Sequence, residues 1–350
     1  MSGQRVVVRE LGDDPASAIE HCMTLEPQAL PADLGPRDVV IRVRAAAVGW
    51  VDVIMTSGQY QHVPPVPYTP GLEYAGEIAA KGAEVELPIG ARVMVDGFTS
   101  GPRSHGAYQQ YGGFATYAVA PVEALLPIPG ALTFDQACNL LGNYETAYHC
   151  LAVRGRLAAG ETVLVLGASG ATGLAAVQVA KQLGATVIAA GRSAAKLETV
   201  RAQGADRVVV TDAPLRESVK GVDVVYDGVG GAISVDALRT LRFGGRFLIV
   251  GWAATPNVSR GRGERGAPNA NQLPTNLIMM KGIDVLGCPT VISTVNDPSL
   301  RPPRLRQILA WAERGAIVPH VSHCYPLERW AEAMRAKLAG EFTGGAVLNP

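Results

Sequence analysis

Thr162–Gly173 reads TVLVLGASGATG: an apolar run, a glycine-rich turn and the start of a helix. The five residues Thr162–Leu166 are too uniformly apolar for a half-exposed strand and suit the buried centre of a parallel sheet. Gly167, Gly170 and Gly173 follow at regular spacing, and the alanine-rich stretch Leu174–Leu183 ends at Gly184, a helix stop signal. A side chain at Gly170 would hold the backbone away from a diphosphate, and one at Gly173 would push the helix off the sheet. The amides around Ser169, Gly170, Ala171 and Thr172 are then free to donate to phosphate oxygens. Ala168 stands where the dinucleotide fingerprint usually has its first glycine. A purely structural turn is the alternative reading of the same residues.

The surrounding chain sets limits on function. With 350 residues, two domains are expected. The 31 basic and 31 acidic side chains balance to a formal net charge of zero, so no electrostatic footprint for nucleic acid or an anionic membrane is present. The five scattered cysteines form neither a disulfide framework nor a Cys-x-x-Cys metal site, which points to a reducing, cytoplasmic setting. The first residues, MSGQRVVVRE, lack the apolar core of a signal peptide, and no apolar run is long enough to span a bilayer.

Residues 1–129 are rich in glycine, proline and short β-type runs (Val6–Val8, Val39–Val43, Tyr74–Ile78, Arg92–Val95) and predict a β-rich, partly open barrel. From about 130 the pattern becomes α/β: strand candidates at 162–166, 186–190, 207–210, 223–227, 246–250 and 283–287 alternate with helical stretches, as in a doubly wound parallel sheet. After about 289 the chain resembles its first segment again. Trp311–Glu313 and Leu327–Leu338 read as helical, and Gly345–Leu348 as a last strand. Ser259–Asn271 is of low complexity and reads as a loop.

A dinucleotide site usually carries an acid about 20 residues beyond its glycines, where it binds ribose hydroxyls. Here the second strand ends in Gly191-Arg192-Ser193, with Lys196 one turn later and no carboxylate. Arg192 and Lys196 suit a 2′-phosphate, and Ser193 adds a hydroxyl. Two charge-assisted hydrogen bonds of about 1.5–3 kcal/mol each would favour NADPH over NADH by roughly a hundredfold or more. Ordinary surface cations at a helix start are the competing reading.

Further segments carry a resemblance. Tyr68–Gly76 (YTPGLEYAG), Gly113–Pro121 (GFATYAVAP), the phosphate turn, Asp223–Gly230 (DVVYDGVG), Gly244–Gly251 (GGRFLIVG) and Asn276–Lys281 (NLIMMK) occur in the order found in the medium-chain dehydrogenase/reductase superfamily. The chain is similar to its zinc-independent NADPH:quinone oxidoreductase branch along nearly its whole length. The resemblance implies a Rossmann cofactor domain (130–288) inserted in a GroES-like catalytic domain built from 1–129 and 289–350. It also implies a homodimer, with Ile283–Gly287 as the candidate edge strand.

In zinc-dependent relatives a cysteine and a histidine occupy the positions of Gly49 and Leu72, neither of which can ligate zinc, and residues 96–112 contain no cysteine for a structural zinc. No metal site is therefore expected. His320 and His323, two residues that an extended segment turns to opposite faces, do not make one either. Without a Lewis acid, alcohol oxidation gives way to hydride transfer onto an electron-poor acceptor. By resemblance, Thr146 lies beside the nicotinamide, and Asp227, Gly228, Val229, Val250, Gly251, Trp252 and Ala253 flank the ribose and carboxamide. The branch's Asn-x-x-Asp motif is Gly49-Trp50-Val51-Asp52 here, losing the asparagine. Trp50 can stack on a flat acceptor or simply pack. Tyr60 and Tyr144 are candidate proton donors to an enolate or hydroquinone, or merely rim aromatics. Phe98–Gln110 and Ala254–Leu273 look longer than in compact members and are candidates for setting substrate size. Arg260, Arg262 and Arg265 either meet an anionic tail such as coenzyme A or are solvated.

The expected activity is thus NADPH-dependent reduction of a quinone or α,β-unsaturated carbonyl. An enoyl-thioester or acrylate-type reductase and a non-catalytic NADPH-binding protein are the alternatives.

Overall fold

A computed structural model describes residues 2–31, 33–60, 62–104, 106–254 and 271–350. Seven strands come first: β1 (Gly3–Val8), β2 (Met23–Gln28), β3 (Asp38–Ala47), β4 (Tyr74–Lys81), β5 (Arg92–Val95), β6 (Tyr117–Pro121) and β7 (Leu125–Pro127). Six more follow: β8 (Thr162–Leu166), β9 (Thr186–Gly191), β10 (Arg207–Val210), β11 (Val222–Asp227), β12 (Leu241–Ile249) and β13 (Asp284–Gly287). The chain ends with β14 (Val321–Pro326) and β15 (Gly345–Asn349).

The described residues pack as two units. Residues up to Leu141 join Val321–Pro350 in the first, and those of Gly142–His320 form the second. These limits differ from the 129/130 and 288/289 boundaries read from composition. The reason lies in side chains that pattern cannot pair. Arg301 and Arg304, on the helix Arg301–Glu313, reach back to Glu145 at 2.9 and 2.8 Å. Gln178 donates to the Val318 carbonyl at 2.9 Å. Residues 289–320 therefore pack with the parallel sheet.

In the first unit, β14-β15-β3-β4-β5-β7 form one mixed sheet, β6 adds to β3, and β1–β2 make a separate antiparallel two-stranded sheet. β3 is long and almost wholly buried, so it serves three partners: β4, β6 along its first half and β15 at its end. Val39, Ile41 and Val43 meet Ile78, Val93, Phe114 and Leu348 in the core.

The second unit holds six parallel strands in the order β10-β9-β8-β11-β12-β13. β8 sits between β9 and β11, so the chain winds outward one way from β8 and then the other way from β11. That reversal is the topological switch point beside which α/β sheets bind ligands, at the strands' carboxyl ends. Val163–Leu166 are fully buried because helices cover both faces of the sheet. The helix Ala171–Gln182 follows β8 and buries Gly173 through Ala180. Its alanines allow the close approach to the strands that this requires. β10 and β13 are the sheet's two edge strands.

Candidate active site

The turn after β8 leads straight into the helix Ala171–Gln182, whose N-cap is Gly170. No side chain caps that helix. Its first amides therefore keep their donors for another partner, and the helix dipole favours an anion there. The two glycines have different neighbours. A Cβ at Gly173 would stand 2.3 Å from the Gly167 carbonyl oxygen and 2.8 Å from Ala168 Cα, so this glycine lets the helix approach the turn. A Cβ at Gly170 would meet nothing nearer than Gly167 O at 3.5 Å. Gly170 is exposed, and Ser169, Ala171 and Thr172 are half-buried around it. The protein leaves open the space a diphosphate needs, so the residues present fit a dinucleotide. Thr172 Oγ1 donates to Asn143 Oδ1 at 2.9 Å, which fixes the first helical turn.

The neighbouring turns close around this one. Ser169 Oγ lies 3.9 Å from a Cβ built on Gly191, the last residue of β9. Arg192 follows and is exposed; Lys196 is half-buried. Ser193 Oγ accepts the Lys196 N–H at 3.4 Å, so that hydroxyl caps the helix Ala194–Ala202. At the end of β11, Asp227 is wholly buried. Its Oδ1 accepts from the amides of Val229 and Gly230, both at 2.9 Å, and Oδ2 accepts from Ser234 Oγ. This carboxylate therefore shapes the turn from within. The segment after β12 hydrogen-bonds to the same turn: Val250 and Gly251 donate to Asp227 O at 2.9 and 3.2 Å, and Ala253 donates to Gly228 O at 3.3 Å. Trp252 is exposed. Val229 packs against Gly167, since a Cβ at the latter would come within 2.9 Å of Val229 Cγ2. The predicted phosphate, ribose and carboxamide segments are thus joined at one end of the sheet.

Tyr144 and Thr146 lie on the helix Leu141–Tyr148, Thr146 half-buried and Tyr144 fully buried. The Tyr144 hydroxyl donates to Gln178 Oε1 at 2.8 Å, an oxygen that also accepts the Val318 N–H at 2.9 Å. Burial pushes this phenol far above its ordinary pKa. Its proton is committed to a core strut, a placement at odds with its expectation as a proton donor.

In the first unit, Trp50 opens the helix Trp50–Met55 and is half-buried. Asp52, on the same helix, is 3% exposed. Its Oδ1 accepts from Gly71 and Leu72 amides at 2.9 Å each, and its Oδ2 from Gly49 at 3.0 Å. Asp52 therefore staples together the two positions where zinc-dependent relatives have ligands. A Cβ at Gly49 would stand 2.6 Å from Asp52 Oδ2, so a larger residue there would have to displace that carboxylate oxygen. Burial raises the Asp52 carboxyl to about 6 despite those three hydrogen bonds. Burial lowers Lys337 to about 8, with Asp52 opposing the shift. Tyr60 packs against the first unit's core. Burial raises its phenol, and the positive charge of Arg103 opposes that. Sequence reading missed Arg103, Asp52's stapling role, Gln178 and Glu145.

Among the described residues no group of three or more His, Cys, Asp or Glu could hold a metal ion. His323 Nδ1 lies 2.9 Å from Ser322 Oγ, and its ring stacks near Tyr325 and Phe342. All five cysteines are free thiols. No described helix is long and apolar enough to cross a membrane. Arg260, Arg262 and Arg265 lie outside the described residues, as does most of the loop 254–273.

The chain is similar to known proteins along most of its length. An alcohol dehydrogenase GroES-like domain matches residues 35–130, and a zinc-binding dehydrogenase domain matches residues 171–298. Rat quinone oxidoreductase-like protein 2 is 30% identical over 92% of this chain and 87% of its own. The chain belongs to the quinone oxidoreductase-like branch of the medium-chain dehydrogenase/reductase superfamily. The quinone oxidoreductase of Lama guanicoe is 32% identical over 84% of this chain and 83% of its own. A probable oxidoreductase from Mycobacterium abscessus superimposes with a TM-score of 0.80 at 29% identity, each chain covered completely.

Proposed function

We propose that the chain is an NADPH-dependent, zinc-independent reductase of quinones or α,β-unsaturated carbonyls. The observation that carries the reading is the uncapped helix N-terminus at Gly170, with an open face beside it and Arg192 and Lys196 at the end of the adjacent strand. Amides from Ser169 to Thr172 would hold the diphosphate, and the two cations the 2′-phosphate. Gly191 and Ser193 complete that corner. Thr146, Asp227–Val229 and Val250–Ala253 would hold the ribose and nicotinamide half. Bound NADPH supplies the hydride, chemistry the protein itself lacks.

The protein's own work is positioning and proton delivery. Trp50 offers a flat face to an unsaturated acceptor. Tyr60 donates its hydroxyl proton to the oxygen on which negative charge develops. Tyr144's bond to Gln178 favours a packing role for that residue instead. Gly49 and Leu72 present no ligand atoms, and the space at Gly49 is filled by Asp52, which supports chemistry without zinc. The relatives' quinone oxidoreductase names support the acceptor class.

The domain reading remains a GroES-like catalytic domain around a Rossmann domain, and the chain works as a cytoplasmic homodimer pairing through β13, whose edge position leaves its backbone groups available. The test is NADPH consumption, followed at its near-ultraviolet absorbance, with quinones, enones and enoyl thioesters. Turnover on the first two classes is expected. Turnover confined to thioesters would move the assignment to an enoyl-thioester reductase, and tight binding with no turnover would leave a non-catalytic binding protein.

A further inference from the structure

Glu145 places a carboxylate where helices packed side by side ordinarily bury apolar side chains. It is 2% exposed, on the helix Leu141–Tyr148, and two guanidiniums close on it. Arg301 Nε lies 3.2 and 3.1 Å from Oε1 and Oε2, and its Nη2 2.9 Å from Oε1. Arg304 Nε donates to Oε2 at 2.9 Å, and its Nη2 stands 2.8 Å from the same oxygen. Arg301 and Arg304, three apart on the helix Arg301–Glu313, share a face. Nη2 of Arg304 also donates to Thr294 Oγ1 at 2.9 Å, and that hydroxyl donates to Thr290 O at 2.8 Å. One turn beyond Glu145, the Tyr148 ring sits 5.6 Å from that of Trp311, so the same two helices meet twice. Towards the diphosphate turn, Asn143 accepts from the Thr172 hydroxyl at 2.9 Å, and the Tyr144 hydroxyl donates to Gln178 at 2.8 Å. Thr146 lies among these four anchors and is half-buried. Every residue named here belongs to the second unit.

Stability alone is a poor account of this cluster. Arg304 is 1% exposed, and taking a carboxylate and a guanidinium out of water commonly costs more than burying apolar side chains of like size. Arg304 Nη1 is buried with no hydrogen-bond partner, which adds to that cost. Charged, directional bonds supply something apolar contacts do not, namely a fixed angle. Two guanidiniums on one carboxylate hold the helix at one rotation about its axis. We propose that Glu145, held by Arg304 and Arg301, is a positioning residue that sets the rotation of the helix Leu141–Tyr148 and with it the place of the Thr146 hydroxyl. The inference deepens the proposed function and rests on Thr146 lying beside the nicotinamide.

Side-chain tips on a helix lie about 5–6 Å from its axis, so a rotation of about 10° moves a hydroxyl by about 1 Å. A displacement of that size at a reacting centre can cost about a hundredfold in rate. Asn143 and Tyr144 tie the helix to the helix Ala171–Gln182, whose first turn would hold the diphosphate. Glu145 and Tyr148 tie the turn that carries Thr146 to the helix Arg301–Glu313. Loss of the Glu145 bonds therefore leaves the diphosphate end in place and changes where the Thr146 hydroxyl points.

The test uses the full chain, with Glu145→Gln, the paired replacement Glu145→Leu/Arg304→Met, Thr146→Val and the triple variant that combines the last two. The paired replacement exchanges buried charges for apolar side chains of similar volume, and its urea midpoint should match or exceed the parent's. Its NADPH affinity, by calorimetry, should stay within about threefold, while kcat with a quinone or enone falls about 10- to 100-fold at an acceptor KM within about threefold. Glu145→Gln, which keeps the length and one accepting oxygen, should lose less. In the Thr146→Val background the paired replacement should cost nothing further. A parent-like kcat in the folded paired variant, or an equal loss with and without Thr146→Val, overturns the proposal. Should the paired variant fail to fold, Glu145→Gln takes its place under the same two criteria. If the unsubstituted chain reduces no acceptor, the reductase reading has failed. The positioning is then judged by the emission polarisation of saturating NADPH, which reports how firmly the reduced nicotinamide is held. A lower value in the paired variant is expected, and an unchanged one refutes the proposal.

Discussion

Replacing Gly170 by alanine separates cofactor binding from folding. Within the protein, the new methyl meets nothing closer than a carbonyl oxygen at 3.5 Å, an ordinary contact. Gly170 sits at φ −76° and ψ 164°, which alanine adopts freely. Folding should therefore suffer only the loss of a good N-cap residue, about 0.5–1 kcal/mol. The methyl instead occupies the outward side of the turn and holds a phosphate away from the amides of Ala171 and Thr172. Losing one to two charge-assisted hydrogen bonds, about 1.5–3 kcal/mol each, weakens NADPH binding by at least about tenfold and up to about ten-thousandfold. Gly173→Ala is the contrast: its methyl would lie 2.3 Å from Gly167 O, so it should lower stability itself by about 1–3 kcal/mol. Isothermal calorimetry reads affinity and urea unfolding reads stability. A Gly170→Ala protein that binds NADPH as tightly as the parent would refute the placement of the diphosphate.

Arg192→Ala and Lys196→Ala should each weaken NADPH binding about tenfold or more while leaving NADH binding nearly unchanged, measured by the same calorimetry. Tyr144→Phe should leave turnover within about threefold and cost about 1 kcal/mol in urea unfolding, because Gln178 Oε1 keeps its bond from Val318; a collapse of kcat would restore Tyr144 as a proton donor. Asp52 gives a pH signature. Its folded pKa, about 6, lies above the ordinary 3.8, so the folded state binds the extra proton and stability from this group falls as pH rises between those values. The difference amounts to about 3 kcal/mol. Asp52→Asn, which removes the titration, should therefore be more destabilising at pH 4.5 than at pH 7, and the reverse order would show that the carboxylate is stabilised by folding.

The cofactor half of the molecule was legible because its signals are local. β8, the turn and the helix after it lie within 21 consecutive residues, each with its own period or glycine. The missing acid after β9 and the cations beside it are read from five more. Much of what the structure adds joins residues far apart in sequence. Asp52 meets Gly71 and Leu72 19 and 20 positions later, Tyr144 meets Gln178 34 positions later, and Arg304 meets Glu145 across 159. No periodicity encodes such pairs, and the last of them joins the chain after 289 to the second unit. Tyr144 illustrates the limit well: an aromatic in a polar helical stretch looks available until its partner is seen. Arg103 was hidden for a different reason, since it stands in a segment without a repeating pattern.

The central claim is that the amide end of the helix Ala171–Gln182 and the cations after β9 hold a phosphorylated reduced dinucleotide. Titrating the folded chain with NADPH and with NADH in a calorimeter addresses it directly. One site per chain with NADPH bound about a hundredfold more tightly is the predicted result; absence of binding, or equal affinity for the two, would contradict it.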